Sequence, residues 1–477
     1  MDDALIERVM AARAEASDTG RPGAVATVHA AGHLTARERI EALLDPGSAV
    51  EYGVLSGRRI DTGDWVPTTG GVDFAGTVDG QPVVASSTDF TDHGGGYGAG
   101  RLTRLYSIAH EQRWPVICFA DGGGSRAQVP GHNRGPIASL GSPIGRLGLF
   151  DGMAELSGWV PTMSIVSGPS FAGHASIAGF SDFLVATRGS AIGMGGPPLV
   201  EAALGVRLTP QELAPVEMHE VRGGIDLLVD DEPAAIAAVK RYLSYYRDQP
   251  SGEPSSTAAD VRSIVPDGGS YDMHAVIDAL VDDGSAFELR PNFARSLITV
   301  LARMGGRSVG VLANQPSSPN GGAIDAAAAD KIQRFVELCD AYGYPMLALV
   351  DTPGFVIGAE PDDPDARPGM TRHHARPLIA HHHRAVPLFS VQIRSGGGLG
   401  SFAMTGYNEG RSLPLLRLGW PTVELGVEDG FTRSVHDRNS FDDIVDPAET
   451  RDRILAMLRM TQRSLDGAAK RHPIDTW

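Results

Sequence analysis

Cysteine is nearly missing from this chain. Of 477 residues only Cys118 and Cys339 are cysteines. Each sits inside an apolar run, so neither a disulfide framework nor a four-thiolate zinc site can be built from them. A reducing cytoplasm is the expected compartment. Long apolar runs are the second absence: no window approaches the roughly 18 apolar residues of a membrane-crossing helix. The amino-terminal stretch MDDALIERVMAARAEA mixes acids with arginines and lacks a leader-like apolar centre. The chain is therefore expected neither to enter a membrane nor to be exported. Basic clusters are the third absence. The net charge is −17 and Lys and Arg are scattered, whereas binding along nucleic-acid phosphates needs a clustered basic face. A nucleic-acid partner is excluded on that ground.

Two catalytic signatures are absent as well. No GxxxxGK[ST] loop occurs, and the glycine stretches follow late strands without the acidic residue of a dinucleotide fingerprint. No GxSxG elbow occurs either. Ser125 and Ser401 are poor substitutes for its nucleophile, which leaves a Ser–His–Asp hydrolase unsupported.

Glycine, by contrast, is abundant, with 59 residues, and the chain repeats itself. EQRWPVICFADGGGSRAQ (111–128) lines up with AYGYPMLALVDTPGFVIG (341–358), placing Pro115 on Pro345 and Asp121 on Asp351, an offset of 230. Two further pairs run at an offset of 226: Gly80 with Gly306, and Pro161 with Pro387. Periodic self-similarity outranks local readings, so two halves share one plan. Within each, continuous apolar runs such as PVICFAD, TMSIVSG, PMLALVD and LFSVQI have strand length and suit strands covered on both faces, while IQRFVELCDAYG has helical spacing and a terminal glycine. This predicts an α/β fold with mostly parallel pairing. Residues 247–270 are rich in Pro, Ser, Gly and Asp and read as the linker, with domains at 1–255 and 256–477.

The glycine loops RSGGGLGSF and SGPSFAGHASIAG each follow a strand. In open α/β sheets ligands sit at the carboxyl ends of strands, where glycine lets backbone N–H groups approach without a Cβ in the way. Two anion-stabilising pockets of the oxyanion-hole kind are one reading. Tight strand-to-helix turns without catalysis are the other, and spacing alone leaves both open. The histidines of TRHHARPLIAHHHRAVP, including His374 and His381 two turns apart, lack a nearby carboxylate or thiolate in sequence to complete a metal site. His132, His174 and His219 stand in or beside the glycine loops.

Taken in order, HLTARERIEALLDPGS, DGGGSRAQ, SGPSFAGHASIAGFSDF, YDMHAVIDALVDDGSAFEL, GRSVGVLANQP, CDAYGYPMLALVDTPGFVIG and RSGGGLGSFAM resemble the carboxyltransferase (beta) subunit of biotin-dependent acyl-CoA carboxylases over nearly the whole chain. The resemblance implies two tandem crotonase-like (ClpP/crotonase) domains and a dimer-built homohexamer whose sites lie between subunits. It also implies transfer of a carboxyl group from carboxybiotin, borne by a separate carrier protein, to an acyl-CoA. Both enolate charges would rest on oxygens held by backbone amides, with biotin as the base, so no protein acid–base pair is required. Carried over by position, Ala172 and Gly173 would hold the thioester oxygen, and Leu399 and Gly400 the biotin oxygen. Gly122, Gly123, Gly124, Ser125 and Arg126 would line the acyl-CoA site. Arg37 and Arg39 would belong to the element that approaches CoA, with a solvated helix face as the alternative.

His174 and Phe402 depart from the family's small residue and its frequently acidic determinant, which alters the acyl site, and with Gly398 they would border the bound acyl-CoA and biotin. The Pro- and Asp-rich segment after DTPGFVIG is longer than usual where biotin enters. No biotin-attachment lysine segment and no ATP loop occur, so a biotin carboxylase and carrier subunit is the expected partner. A biotin-independent decarboxylase or transferase of malonyl- or methylmalonyl-type thioesters is the second reading, and an inactive scaffold subunit the third. On the first reading Gly173→Val or Gly400→Val is expected to abolish transfer by filling a pocket.

Overall fold

The computed structural model describes residues 3–55, 58–59, 65–66, 70–91, 95, 100–123, 147–250, 258–266, 268–356, 370–407, 412–425, 428–429, 441–461 and 472–476. The chain divides into two compact units, Met1–Leu243 and Ser244–Trp477. The boundary read from composition, residue 255, lies in 251–257, outside the described residues. Part of the expected linker is helical: Ala258–Ile264 forms a helix whose Val261 joins the core of the second unit.

The first unit carries a seven-stranded sheet. In spatial order it runs β1 (Val50–Tyr52), β4 (Gly71–Val78), β5 (Gln81–Thr88), β6 (Val116–Phe119), β7 (Thr162–Val166), β9 (Phe183–Thr187) and β11 (Leu227–Val229). The first three are antiparallel and the rest parallel. Short pairings join β2 (Arg58–Arg59) to β3 (Trp65–Val66) and β8 (Pro169–Phe171) to β10 (Ala191–Gly193).

The second unit repeats the plan. Its strands run β12 (Phe287–Glu288), β13 (Leu297–Met304), β14 (Arg307–Asn314), β15 (Met346–Thr352), β16 (Leu388–Gly396), β17 (Leu416–Gly419) and β20 (Asp443–Ile444), again antiparallel at the start and parallel after. A small hairpin of β18 (Glu424–Leu425) and β19 (Glu428–Asp429) adds to β16.

The central strands are uninterrupted apolar runs because both faces are covered. Every residue of β6, β7, β9 and β15 is buried. In the first unit one covering layer packs Leu105, Tyr106, Met153 and Leu156 against Val84, Val116 and Cys118. In the second, helix Ala326–Ala341 buries Ile332, Phe335, Val336 and Leu338. Asp325 caps this helix, accepting from the N–H of Ala328 at 2.8 Å, and it stops where Gly343 takes φ +71°. These layers leave the carboxyl ends of the parallel strands, where both glycine loops begin, as the surface on which a site can be built.

Candidate functional site

In the first unit the site is organised by Asp121, which lies two residues past β6 and is 2% exposed. Its Oδ1 accepts from the N–H groups of Ser167 and Gly168, both at 2.9 Å, just past the end of β7. Its Oδ2 accepts from Ser167 Oγ and pairs with the Arg39 guanidinium, each at 2.9 Å. The N–H of Asp121 in turn donates to Thr88 Oγ1 at 3.2 Å, at the end of β5. Gly122 then pairs with the entering loop: its N–H donates to the Pro169 carbonyl at 2.6 Å, and its own carbonyl accepts from Phe171 N–H at 2.8 Å.

Arg39 is not on a solvated face. It is 6% exposed and donates through Nε to Glu232 at 3.0 Å and through its terminal nitrogen to Ser167 Oγ at 2.8 Å. Burial works against its charge, but Asp121 and Glu232 offset this and raise its pKa. Burial likewise pushes Glu232 up, and hydrogen bonds from His33 and charge from Arg39 more than reverse it, to about 2. Arg37 is ion-paired with Glu51 at 2.8 Å. Both arginines of TARER are thus committed within the chain.

This network floors a cavity of about 620 Å³, bounded by Thr88, Asp121, Gly168 and Pro169 at the strand ends and by Ala24 and Val28 of helix Pro22–Ala30. Its charges are internally matched, Arg39 by Asp121 and Glu232, and Arg21 by Asp89. The apolar wall and the matched floor suit a neutral, elongated ligand segment better than a phosphate.

Helix Gly173–Phe180 starts beside this loop. Its N-cap, Ala172, has φ +52° and ψ −121°, a conformation that favours glycine. The Ala172 N–H donates to the carbonyls of Gly193 and Met194, each at 3.2 Å. Gly173, at N1, has no backbone acceptor among the described residues, and open space surrounds the position where a Cβ would lie.

His174 follows and is fully buried, its ring against Gly122: a Cβ placed on Gly122 would lie 2.5 Å from His174 Cε1. Burial lowers its pKa to about 4, leaving it neutral. The imidazole therefore joins the DGGG turn to the helix start, two motifs that the sequence singled out separately. Gly123 is exposed at the end of that turn, while Gly124, Ser125, Arg126 and His132 lie outside the described residues.

The second unit has the same arrangement. Asp351, 4% exposed, accepts at Oδ1 from Ser395 N–H at 3.1 Å and at Oδ2 from Arg394 Nε at 2.9 Å and Tyr271 Oη at 2.8 Å. Its N–H donates to Asn314 Oδ1 at 3.2 Å, at the end of β14. Gly397 N–H donates to the Thr352 carbonyl at 3.0 Å, and Gly398, at φ +48°, opens helix Gly398–Thr405.

Leu399 N–H has no backbone acceptor among the described residues, whereas Gly400 N–H closes a turn onto the Gly397 carbonyl at 3.1 Å. A Cβ on Gly400 would lie 2.5 Å from Gly354 Cα. A side chain there would strike the TPGF backbone, and the pocket-filling rationale for Gly400→Val is corrected accordingly. The Leu399 side chain is half-exposed, and Phe402 packs on Tyr407 with ring centroids 5.4 Å apart. Residues 357–369, where a longer biotin entrance was read, lie outside the described residues.

Three other histidines are held by contacts within the chain. His373 pairs with the buried Asp330 at 2.8 Å, a carboxylate that sequence proximity did not reveal. His381 is fully buried against the Ala403 carbonyl, and burial lowers its pKa to about 3. His219 packs on Gly224. Sequence reasoning missed Glu232, Thr88, Asn314 and Tyr271. The signal for one pair was present: Thr88 and Asn314 are 226 apart, the offset of the repeat.

Comparison with known proteins agrees with this architecture. Residues 27–431 match the Carboxyl transferase domain family. The methylmalonyl-CoA carboxyltransferase 12S subunit of Propionibacterium freudenreichii subsp. shermanii is 32% identical, over 93% of this chain and 91% of that protein. A crystal structure of transcarboxylase 12S, described as a hexamer with methylmalonyl-CoA and methylmalonic acid bound, superposes with TM-score 0.84 at 29% identity, over 99% of both chains. A single-chain, multi-domain long-chain acyl-CoA carboxylase superposes with TM-score 0.83 at 32% identity over 96% of this chain, which spans only 49% of that protein. With two repeated units, two glycine-loop helices at equivalent strand ends and this likeness over its length, the chain belongs to the carboxyl transferase family, as a carboxyltransferase of the acyl-CoA carboxylase and transcarboxylase group with tandem crotonase-like units.

Proposed function

We propose that this chain moves a carboxyl group between carboxybiotin and the α-carbon of an acyl-CoA, through two enolates held by backbone amides. The observation that carries the reading is the pair of helix starts, Gly173 in the first unit and Leu399 in the second, each with an amide that has no backbone acceptor among the described residues. Donors of this kind are fixed before the reaction and act on charge that develops during it. The Gly173 helix start would receive the thioester oxygen and the Leu399 helix start the biotin ureido oxygen, with Ala172 and Gly400 setting the bends. Gly122 and Gly123 would border the acyl-CoA, and the cavity floored by Arg39 and Asp121 would take its uncharged arm.

His174, neutral and buried, would limit the acyl end, and Phe402 the entrance to the second pocket. Biotin itself supplies the base when bound. The chain's own residues orient both reactants and exclude water. The carboxyl donor would arrive on a separate carrier served by a biotin carboxylase. A dimer-built hexamer is the assembly we expect, since the transcarboxylase relative forms a hexamer.

The test uses the purified chain with malonyl-CoA or methylmalonyl-CoA, with and without free biotin, following loss of the thioester carboxylate by mass spectrometry. Loss that requires biotin is the expected result. Turnover without biotin would overturn the use of the second pocket and favour a decarboxylase, and no turnover with either thioester would leave a scaffold subunit.

A further inference from the structure

We infer that Asp121 and Asp351 are paired positioning residues, each fixing one of the two pockets and leaving the other untouched. Each carboxylate stands just past or at the end of a parallel strand, β6 or β15, and bridges from there to the end of the next strand, where its glycine loop begins. Asp121 holds the amides of Ser167 and Gly168 at 2.9 Å, and Asp351 holds the amide of Ser395 at 3.1 Å. Each has its own N–H anchored on the preceding strand's last residue, Thr88 in one unit and Asn314 in the other. In each, the following residue continues the contact into the loop, Gly122 with Pro169 and Phe171, Thr352 with Gly397. An arginine closes the charge on both, Arg39 at 2.9 Å and Arg394 at 2.9 Å.

Three adjacent strand ends are thereby tied together where the regular ladder stops in the first unit and where its register shifts, between Val350 and Thr352, in the second. Beyond that point a loop has no regular partner, and its position depends on such contacts. The first loop turns into helix Gly173–Phe180 and the second into helix Gly398–Thr405. Neither aspartate is assigned a contact with the reacting atoms. They act through the loop, so their loss should misplace amide donors rather than remove them, and a displacement below 1 Å already weakens a preorganised site.

The inference rests on the two-pocket reading given above and predicts a division between halves. Asp121→Asn keeps the size and removes the charge that holds Arg39 and the two amides. It should lower kcat/KM for methylmalonyl-CoA about tenfold, while kcat/KM for free biotin stays within about twofold. Asp351→Asn should do the reverse. Ser167→Ala and Tyr271→Phe, which each remove one hydroxyl contact to the same carboxylates, are milder partners should an asparagine variant fail to fold. Each should shift the same constant by a smaller factor.

A general stability role would instead move both constants together or neither, and either pattern overturns the inference. If the wild-type chain turns over thioester without biotin, the two-pocket reading fails and the Asp121 arm still decides the first half. If it shows no turnover at all, hydrogen exchange decides. Faster exchange at 167–180 in Asp121→Asn and at 395–405 in Asp351→Asn, each confined to its own unit, supports the inference, and spread across both units overturns it.

Discussion

Glycines that look equivalent in sequence are constrained differently. At Gly173 a Cβ would meet nothing within 4 Å, but at Gly400 it would stand 2.5 Å from Gly354 Cα and 2.8 Å from the Gly354 carbonyl carbon. Backbone cannot withdraw as a flexible side chain can. Gly400→Ala is therefore expected to lose about 1–3 kcal/mol of stability through overpacking, while Gly173→Ala should unfold at the wild-type urea midpoint. Loss of turnover in a fully stable Gly173→Ala would then report on the pocket, whereas the same loss in Gly400→Ala would report first on the fold. The sequence could not separate the two, because the difference lies in what packs opposite each glycine and not in the loop itself.

Among the elements, helix Ala326–Ala341 shows how a charged residue can serve a loop. Lys331 is 2% exposed and its Nζ donates to the carbonyls of Arg290, Phe293 and Leu297 at 2.9, 2.9 and 2.8 Å. Arg290 and Phe293 belong to the connection between β12 and β13, where Arg290 and Ala294 take φ of +56° and +48°, and Leu297 is the first residue of β13. Burial lowers the Lys331 pKa to about 7, and in its protonated form all three of its donors are used. Lys331→Met would leave three buried acceptors without this donor and should cost about 3 kcal/mol in chemical denaturation.

Periodicity marks this helix, and its terminal glycine was legible. The role of Lys331 was not, since its acceptors lie 34 to 41 positions earlier in the chain. Arg39 was illegible for the same reason. In TARER it reads as surface, yet Glu232, 193 positions away, draws it inside.

For the whole molecule, buried titratable groups set the response to acid. Burial lowers the pKa of His174 to about 4 and of His381 to about 3. As pH falls below about 6.5, the unfolded chain gains these protons before the folded one does, so stability falls. Glu232, held at about 2 by His33 and Arg39 against its burial, adds a second decline as pH drops through the ordinary carboxylate range. His33 and His274 are raised by carboxylate partners, so their contribution is already complete below about 6.5 and adds no slope there. Urea denaturation measured against pH should therefore show loss beginning near 6.5. In the double variant His174→Ala, His381→Ala the loss between about 6.5 and about 4.5 should shrink to the part contributed by His219, whose pKa burial also lowers. An undiminished loss over that range would count against both burials.

The amino-acid sequence by itself determined the duplication, the parallel strands and the two glycine-loop helices. These follow from local pattern, namely apolar runs of strand length, helical spacing ended by glycine, and fixed offsets between matching prolines and aspartates. Only the tertiary structure decided which amides remain without a backbone acceptor. Ala172 lost its N–H to Gly193 and Met194, Gly400 spent its own on a turn, and of these four amides Gly173 and Leu399 were left without a backbone acceptor among the described residues. Tertiary structure also turned Asp121 and Asp351 from strand-end punctuation into supports for the loops. The physical reason is that a hydrogen-bond donor has one strong partner at a time, and which acceptor reaches it depends on segments far away in sequence that folding brings within 3 Å.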